Sequence, residues 1–384
     1  MPDLKPTVLR RVGVVGGGQL AHMMGEAAGA LDLDLTVLAT SPSDSATATS
    51  DHVLIGAATD VEALHRLAEA VDVITFDHEL VDLDVLDALA ASGVILRPSP
   101  QSLRYSVDKA YQRRAFSEHG LPVPRFLVVE SADDVRLAPF LDTLAAPPVV
   151  KSSRGGYDGR GVVVATSRDE ALFAIQEMAS HGEVVVEEQM ALRSEVAQLI
   201  ARATDGTLVF YPVVTTVQRG GMCAEVRFPS ELDEHTLAQA QQLSNEIADL
   251  VQGVGIMAVE YFATDNGLFV NEIALRPHNS GHWTIEGAST SQFAQHLRAV
   301  SGVPLGNVDV LAPYAVMVNV VGADRPGSLK AAQSVGDAFV HDYGKSWRPG
   351  RKLGHVTALG DEPTSPRVRA WDSARAYGTV TQEA

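Results

Sequence analysis

The sequence predicts an α/β fold that gives way to α+β and ends in a small β-rich unit. Three observations carry this expectation. Short apolar runs alternate with helical stretches up to about residue 97, the pattern of an open parallel sheet covered on both faces. From residue 184 strands are joined by tight turns instead, marked by Asp205-Gly206 and Asp265-Asn266-Gly267. Beyond residue 310 the runs 316–321, 338–341 and 355–359 supply short strands again.

In the first unit, the run 12–15 ends in Gly16-Gly17-Gly18 and a helix is expected over 19–30, with strands at 33–38, 71–76 and 94–96 and helices at 61–70 and 83–91. Gly16-x-Gly18-x-x-Ala21 has the spacing of a dinucleotide fingerprint, in which backbone N–H groups face phosphate. Thr36, Val37, Leu38 and Ala39 stand where an acidic ribose ligand belongs, so a nicotinamide cofactor loses its second support. The turn either binds another phosphate or is structural. Thr75-Phe76-Asp77-His78-Glu79 follows a strand, where open parallel sheets place ligands. Asp77 or Glu79 can accept hydrogen bonds from a substrate there, and His78 is either a base or a solvated loop histidine.

Bulk properties narrow the function classes. A chain of 384 residues fits two or three domains, and 46% hydrophobic with 20% charged residues describes a compact protein. Forty-eight acidic against 30 basic residues give a net charge of −18, which opposes nucleic-acid and anionic-membrane binding. No secretory pattern opens the chain, and Glu260 interrupts the longest mainly apolar tract, so neither a signal nor a membrane span is expected. Cys223 stands alone, which rules out an intrachain disulfide and a thiolate metal cluster. A cytoplasmic location is the expectation.

The stretch 151–162, KSSRGGYDGRGV, lies between the apolar runs 147–150 and 162–165. Gly155, Gly156, Gly159 and Gly161 around Asp158 remove Cβ atoms where a phosphate chain can meet backbone N–H groups, and Lys151, Arg154 and Arg160 supply positive charge. The alternative is a surface hairpin with basic ends. Before it, Pro98, Pro100, Pro122 and Pro124 bracket a helix expected over 107–119. Lys109 and Arg113 are one turn apart on it and face either a phosphate or solvent together. Residues 124–129 read as extended, and the cluster 131–134 starts another helix.

After a helix at 169–180 comes a strand with the exit Glu187-Glu188-Gln189-Met190, which can offer a base backbone hydrogen bonds and an apolar wall from Met190. Glu187 binds a ribose hydroxyl or stays exposed. Strands are expected at 196–203 and 207–214 and a helix at 239–251. The hairpin 255–263 and 268–273 then sets Glu260 opposite Glu272, with Asn271 alongside, either as magnesium ligands or as two surface acids. The polar loop 276–284 follows. In it Arg276 can stabilise a transferring carboxyl or phosphoryl group while Asn279 and Ser280 orient it. His278 and His282 lack the third protein ligand of a catalytic zinc site. Lys345, Arg348, Arg351 and Lys352 form a basic patch in an acidic chain, which calls for a local anion such as a substrate phosphate, or is a solvated face.

Four motifs in order, GGGQL at 16–20, GGYDGRG at 155–161, NEIALRPHNSGHWT at 271–284 and PGRKLGH at 349–355, give the chain a strong resemblance to the N5-carboxyaminoimidazole ribonucleotide synthase family of ATP-grasp enzymes. The resemblance runs from residue 16 to about 358. It implies an ATP-grasp fold, with an N-terminal Rossmann-like domain at 1–107, an ATP-grasp domain at 108–310 whose part 108–190 includes the nucleotide-covering subdomain, and a β-rich C-terminal domain at 311–384. It also implies an ATP- and bicarbonate-dependent carboxylation of 5-aminoimidazole ribonucleotide through carboxyphosphate, with Mg2+, in purine synthesis. A homodimer and functional coupling to the mutase that uses the product are further implications.

Carried residue by residue, Lys109 and Lys151 resemble nucleotide-phosphate contacts, and Gly156, Tyr157, Asp158, Gly159, Arg160, Gly161 and Val162 the loop over ATP. Glu187, Glu188, Gln189, Met190 and Glu195 resemble the adenine and ribose edge, with Gln218 nearby. Glu260 and Glu272 resemble the magnesium ligands, beside Asn271. Gln19, Leu20, Glu79, Tyr157, Asp158, Arg276, His278, Asn279, Ser280, Lys345, Arg351 and Lys352 resemble the ribonucleotide and carboxyl site, with Arg276, Asp158, Tyr157 and Glu79 nearest the chemistry. Leu275 departs from the family's usual proline, and Gln218 from a histidine seen in relatives. Competing readings are another ATP-grasp carboxylate-amine ligase, a nicotinamide dehydrogenase and a non-catalytic nucleotide sensor.

Overall fold

The computed structural model describes residues 8–156 and 161–379. The candidate residues Tyr157, Asp158, Gly159 and Arg160 lie outside the described residues. The first unit is a four-stranded parallel sheet of β1 (Arg11–Val15), β2 (Asp34–Ala39), β3 (His52–Ile55) and β4 (Val73–Phe76), ordered β3-β2-β1-β4. All four residues of β4 are buried, as expected of a strand covered on both faces. The helices Gln19–Ala28, Val61–Ala70 and Leu83–Ala91 supply that cover. The edge strand β3 carries no such signal, because three of its four residues are exposed. The strand expected at 94–96 reduces to a single bridge between Ile74 and Leu96.

The helix expected over 107–119 is two helices. Ser99 caps Pro100–Val107, with Pro100 in the first turn where its missing N–H costs nothing. Asp108 then leaves helical geometry, and its side chain accepts the Tyr111 N–H at 2.9 Å to start Lys109–Glu118. The prolines therefore start a helix as well as bracket one.

A second sheet of β5 (Phe126–Val129), β6 (Val149–Ser152), β7 (Val162–Val164) and β8 (Val184–Glu187) is antiparallel, in the order β5-β8-β6-β7. The helix Arg168–Ala179 buries Ala171, Ala174 and Ile175 in one cluster with Val150, Val184 and Val186. The cluster 131–134 forms turns, and the helix it was expected to start begins later, at Leu137–Asp142.

The largest sheet has nine strands: β9 (Ser194–Arg202), β10 (Leu208–Phe210), β11 (Val214–Arg219), β12 (Met222–Phe228), β13 (Gly255–Thr264), β14 (Gly267–Ala274), β15 (Tyr314–Val321), β16 (Phe339–Asp342) and β17 (Lys352–Gly360). Its order is β14-β13-β9-β11-β12-β15-β17-β16, with β10 on β9. The run expected as one strand at 207–214 is split at Tyr211-Pro212-Val213, since proline has no N–H for the ladder. β12 pairs with β15, so the C-terminal strands continue the central sheet instead of forming a sheet of their own. The helix Thr364–Tyr377 covers their outer face through Ala370, Trp371, Ala374 and Tyr377. No helix among the described residues is long and apolar enough to cross a membrane.

Candidate active site

A cleft of about 490 Å³ opens where the three sheets meet. Its walls take in Gln19, Leu20 and Glu79 from the parallel-sheet unit, Lys109, Glu272, Arg276, His278 and Asn279 from the centre, and Lys345, Arg351 and Lys352 from the C-terminal strands. The acidic hairpin and the basic patch, far apart in sequence, thus face one space.

The glycine turn at its base packs against Asp77. Gly16 has φ +118°, and a Cβ there would stand 1.7 Å from Asp77 Oδ1. The Gly18 N–H donates to Asp77 Oδ2 at 2.7 Å. A buried carboxyl group already takes the Gly18 N–H, which favours the structural reading of this turn, the start of the Gln19 helix, over phosphate binding. Glu79 lines the cleft as well, and both its oxygens meet Arg276 Nε there, at 2.8 and 2.9 Å. Arg276 also donates to the Pro277 carbonyl at 3.1 Å, so its guanidinium is fixed from two sides.

The β13–β14 pairing sets Glu260 directly across from Glu272, and it does so through a register shift just after Glu260: the unshifted ladder, Tyr261 on Val270 and Phe262 on Phe269, would have put Asn271 there. Lys109 Nζ donates to Glu272 Oε2 at 2.9 Å, and chiefly this charge, against the opposing effect of burial, holds Glu272 at about 2. Glu260 behaves oppositely: burial first, then the facing Glu272 and Glu195 carboxylates, push it up to about 8. His278 Nε2 lies 3.7 Å from its Oε1 and Asn271 Nδ2 3.5 Å from its Oε2. Among the described residues no group of three or more His, Cys, Asp or Glu side chains can hold an ion by itself. Two crowded carboxylates do fit a hard cation whose remaining ligands are phosphate and water oxygens.

Around the end of β8 the charges are interior. Arg113, 2% exposed, donates from Nε to Glu187 Oε1 at 2.5 Å and from its terminal nitrogen to the Asn271 carbonyl at 2.5 Å. Lys151 Nζ lies 2.7 Å from Glu187 Oε2 and donates to Asn271 Oδ1 at 3.2 Å. Burial would raise the Glu187 pKa, but Arg113 and Lys151 outweigh it and hold the carboxyl at about 2. These positions correct two readings: Glu187 is buried, and Lys109 and Arg113 share neither a solvent face nor a partner, one reaching Glu272 and the other Glu187.

Glu188 pairs with Arg125 at 2.8 Å at the strand exit, next to exposed Gln189 and half-buried Met190. Glu195 is half-buried on β9, where burial raises its pKa, and Gln218 sits at the register shift of β11 opposite Cys223. The Gly161 carbonyl accepts from Ser152 N–H, and Val162 begins β7. Of the nucleotide-side candidates the cleft takes in Lys109, Gly156 and Glu272, while Lys151, Glu187, Glu195, Asn271 and Gln218 stand on strands beyond its wall.

The remaining candidates gather on loops. His278 Nδ1 and Ser280 Oγ are 2.9 Å apart, and both polar atoms of the Asn279 amide are buried with no partner among the described residues. Lys345 Nζ donates to Gln19 Oε1, and Arg351 donates to Ser346 Oγ at 2.8 Å. Leu275 is 2% exposed in the central core, so its departure from proline changes packing and leaves the charges in place. Residues that sequence reasoning missed include Gln292, whose amide pairs with both the N–H and the carbonyl of His278 at 2.8 Å and shapes the polar loop. A lone glutamine in a helix gives no signal of that role.

Three family models match in order: a ribonucleotide synthetase preATP-grasp domain over residues 9–106, an ATP-grasp domain over 114–293 and a phosphoribosylaminoimidazole carboxylase C-terminal domain over 315–367. The N5-carboxyaminoimidazole ribonucleotide synthase of Mycobacterium bovis is 46% identical, over 94% of this chain and 86% of that protein. An ADP complex of an N5-carboxyaminoimidazole ribonucleotide synthetase superposes with a TM-score of 0.89 at 31% identity, covering 96% of this chain and 97% of that one. The Aspergillus clavatus synthase in complex with ADP and 5-aminoimidazole ribonucleotide gives 0.86 at 30% identity, covering 95% and 98%. On its sequence, its three matched domains and its fold, the chain belongs to the N5-carboxyaminoimidazole ribonucleotide synthase family of ATP-grasp enzymes.

Proposed function

We propose that this chain is the ATP-dependent ligase that carboxylates the 5-amino nitrogen of 5-aminoimidazole ribonucleotide, consuming bicarbonate and giving N5-carboxyaminoimidazole ribonucleotide, ADP and phosphate. The observation that carries the proposal is the single cleft shared by Lys109 and Glu272, the Arg276–Glu79 pair, and Lys345 with Arg351. Bicarbonate oxygen attacks the γ-phosphorus, ADP leaves and carboxyphosphate forms. The ribonucleotide amine then attacks its carbonyl carbon, or carbon dioxide released from it; phosphate leaves and the nitrogen gives up a proton.

Lys109 and Lys151 hold the nucleotide phosphates, with Gly156, Gly161 and Val162 at the two ends of the covering loop. Glu187 fixes Lys151, and Glu188, Gln189, Met190, Glu195 and Gln218 border the adenosine. Glu260 and Glu272, with Asn271 beside them, would hold Mg2+, which supplies neutralisation of phosphate charge as it shifts. Arg276, locked by Glu79, stabilises the carboxyl group in transfer. Asp158 orients the amine and takes its proton, with Tyr157 adjacent. Lys345, Arg351 and Lys352 pin the ribonucleotide phosphate, while Gln19, Leu20, His278, Asn279 and Ser280 border the remainder. The proposal extends to a cytoplasmic homodimer whose labile product passes to a mutase.

The test is ADP release with ATP, magnesium and bicarbonate, with and without the ribonucleotide. Stimulation by the ribonucleotide with formation of the N5-carboxy product is expected. Stimulation by an amino acid or another ribonucleotide alone would make the chain a different ATP-grasp ligase.

A further inference from the structure

The loop that carries Lys345 starts from Tyr343, a buried anchor. Tyr343 is 1% exposed, and its ring packs in the same apolar cluster as Leu20 and Phe293. Its carbonyl accepts from Ser45 Oγ at 2.5 Å, which fastens the C-terminal strands to the parallel-sheet unit. Lys345 Nζ lies 5.5 Å from the centre of the Tyr343 ring, a cation–π distance, and the same nitrogen donates to Gln19. The ring therefore sets one side of the place where this ammonium stands.

What sets the ring is His355. Its Nδ1 is 2.8 Å from the Tyr343 hydroxyl. The imidazole is 0% exposed on β17 and lies between His282 and His341, with ring centres 4.9 and 4.3 Å away. Its Nε2 has no hydrogen-bond partner among the described residues, so the bond to Tyr343 is the one that orients it. Burial keeps His355 well below the ordinary histidine range and Tyr343 well above the ordinary phenol range, so both are neutral. A neutral imidazole and a neutral phenol share one proton in one bond. An apolar side chain would fill this position without leaving Nε2 unpaired, so packing alone does not account for a histidine here.

We propose that His355 is a positioning residue for the phosphate end of the ribonucleotide: through the Tyr343 hydroxyl it fixes the ring on which Lys345 rests. The assignment rests on Lys345 meeting that phosphate, as put forward above.

The experiment compares Tyr343→Phe, His355→Ala and His355→Asn in steady-state ADP release, with ribose 5-phosphate titrated calorimetrically as a probe that needs no turnover. Tyr343→Phe and His355→Ala should raise the ribonucleotide KM and the ribose 5-phosphate Kd roughly tenfold, the factor one buried hydrogen bond corresponds to. The KM for ATP should not move. Asparagine keeps a donor and an acceptor near the Nδ1 position, so His355→Asn should recover most of the loss. An unchanged ribonucleotide KM, an equal loss on the ATP side, or an asparagine variant no better than alanine would overturn the proposal. A wild-type protein that binds ribose 5-phosphate without ribonucleotide-stimulated turnover rejects the reaction and leaves the titrations to decide the role of His355. One that does not bind ribose 5-phosphate overturns the role of His355.

Discussion

The regions proposed as the nucleotide end and the ribonucleotide end hold their cations by different means. At the nucleotide end Arg113 and Lys151 share one carboxylate, Glu187, and all three are buried between the second sheet, the Lys109–Glu118 helix and β14. At the ribonucleotide end Lys345 and Arg351 stand on loops, held by Gln19, the Tyr343 ring and Ser346. The first arrangement joins fold and function in the same ion pairs. The second leaves function separable from stability.

The comparison predicts its largest effect at Arg113. Arg113→Met removes one partner of a buried pair and should destabilise the chain by about 3–5 kcal/mol, read as the urea midpoint of unfolding. An unchanged midpoint would mean that the nucleotide end is no more part of the fold than the other. Glu272→Gln comes next. Its side chain is 42% exposed, so water screens its ion pair with Lys109 and stability should change by less than about 1 kcal/mol. Turnover at saturating substrates should fall at least about a hundredfold, because the charge stabilisation a bound metal ion supplies is worth several kcal/mol. Activity close to wild type would remove Glu272 from its assigned role.

The same contrast explains which features were legible in the sequence. The hairpin that carries Glu260 and Glu272 could be read from its short glycine turn, although their direct pairing comes from a register shift that spacing alone does not show. The alternating units before residue 97 could be read from strands buried on both faces. Arg113 could not, because a cation one turn from Lys109 looks like a solvated face until Glu187, 74 positions later, closes over it. The Gly16 turn was legible as a turn, but its occupant, Asp77, comes from a different strand. His355 closes the PGRKLGH motif, yet its bond to Tyr343 depends on the β16–β17 register. The continuity of the central sheet across β12 and β15 was equally hidden, since a sheet edge leaves no local mark on composition.

Acid should separate the two ends as well. Glu187 is held at about 2 in the folded chain, below the ordinary glutamate value of about 4.3. A depressed folded value contributes stability that is complete above the unfolded value and is lost as pH falls through the folded one. Urea midpoints should therefore fall between about pH 4.3 and pH 2 in the wild-type chain. In Glu187→Gln that part of the acid dependence should be smaller. If both chains lose stability in parallel, Glu187 is not the group that links the nucleotide end to folding.

The smallest expected effect is at Arg351, and it tests the other half of the comparison. Its guanidinium is held by Ser346 on its own loop, so Arg351→Ala should leave the urea midpoint within about 0.5 kcal/mol of wild type. Removing a charged hydrogen bond to phosphate should raise the ribonucleotide KM about tenfold while kcat stays near wild type. Because the group is half-exposed, the difference from wild type should shrink as salt screens the interaction. A loss of stability in this variant would show that the basic end is built into the fold after all, and an effect indifferent to salt would place the arginine outside the phosphate's reach.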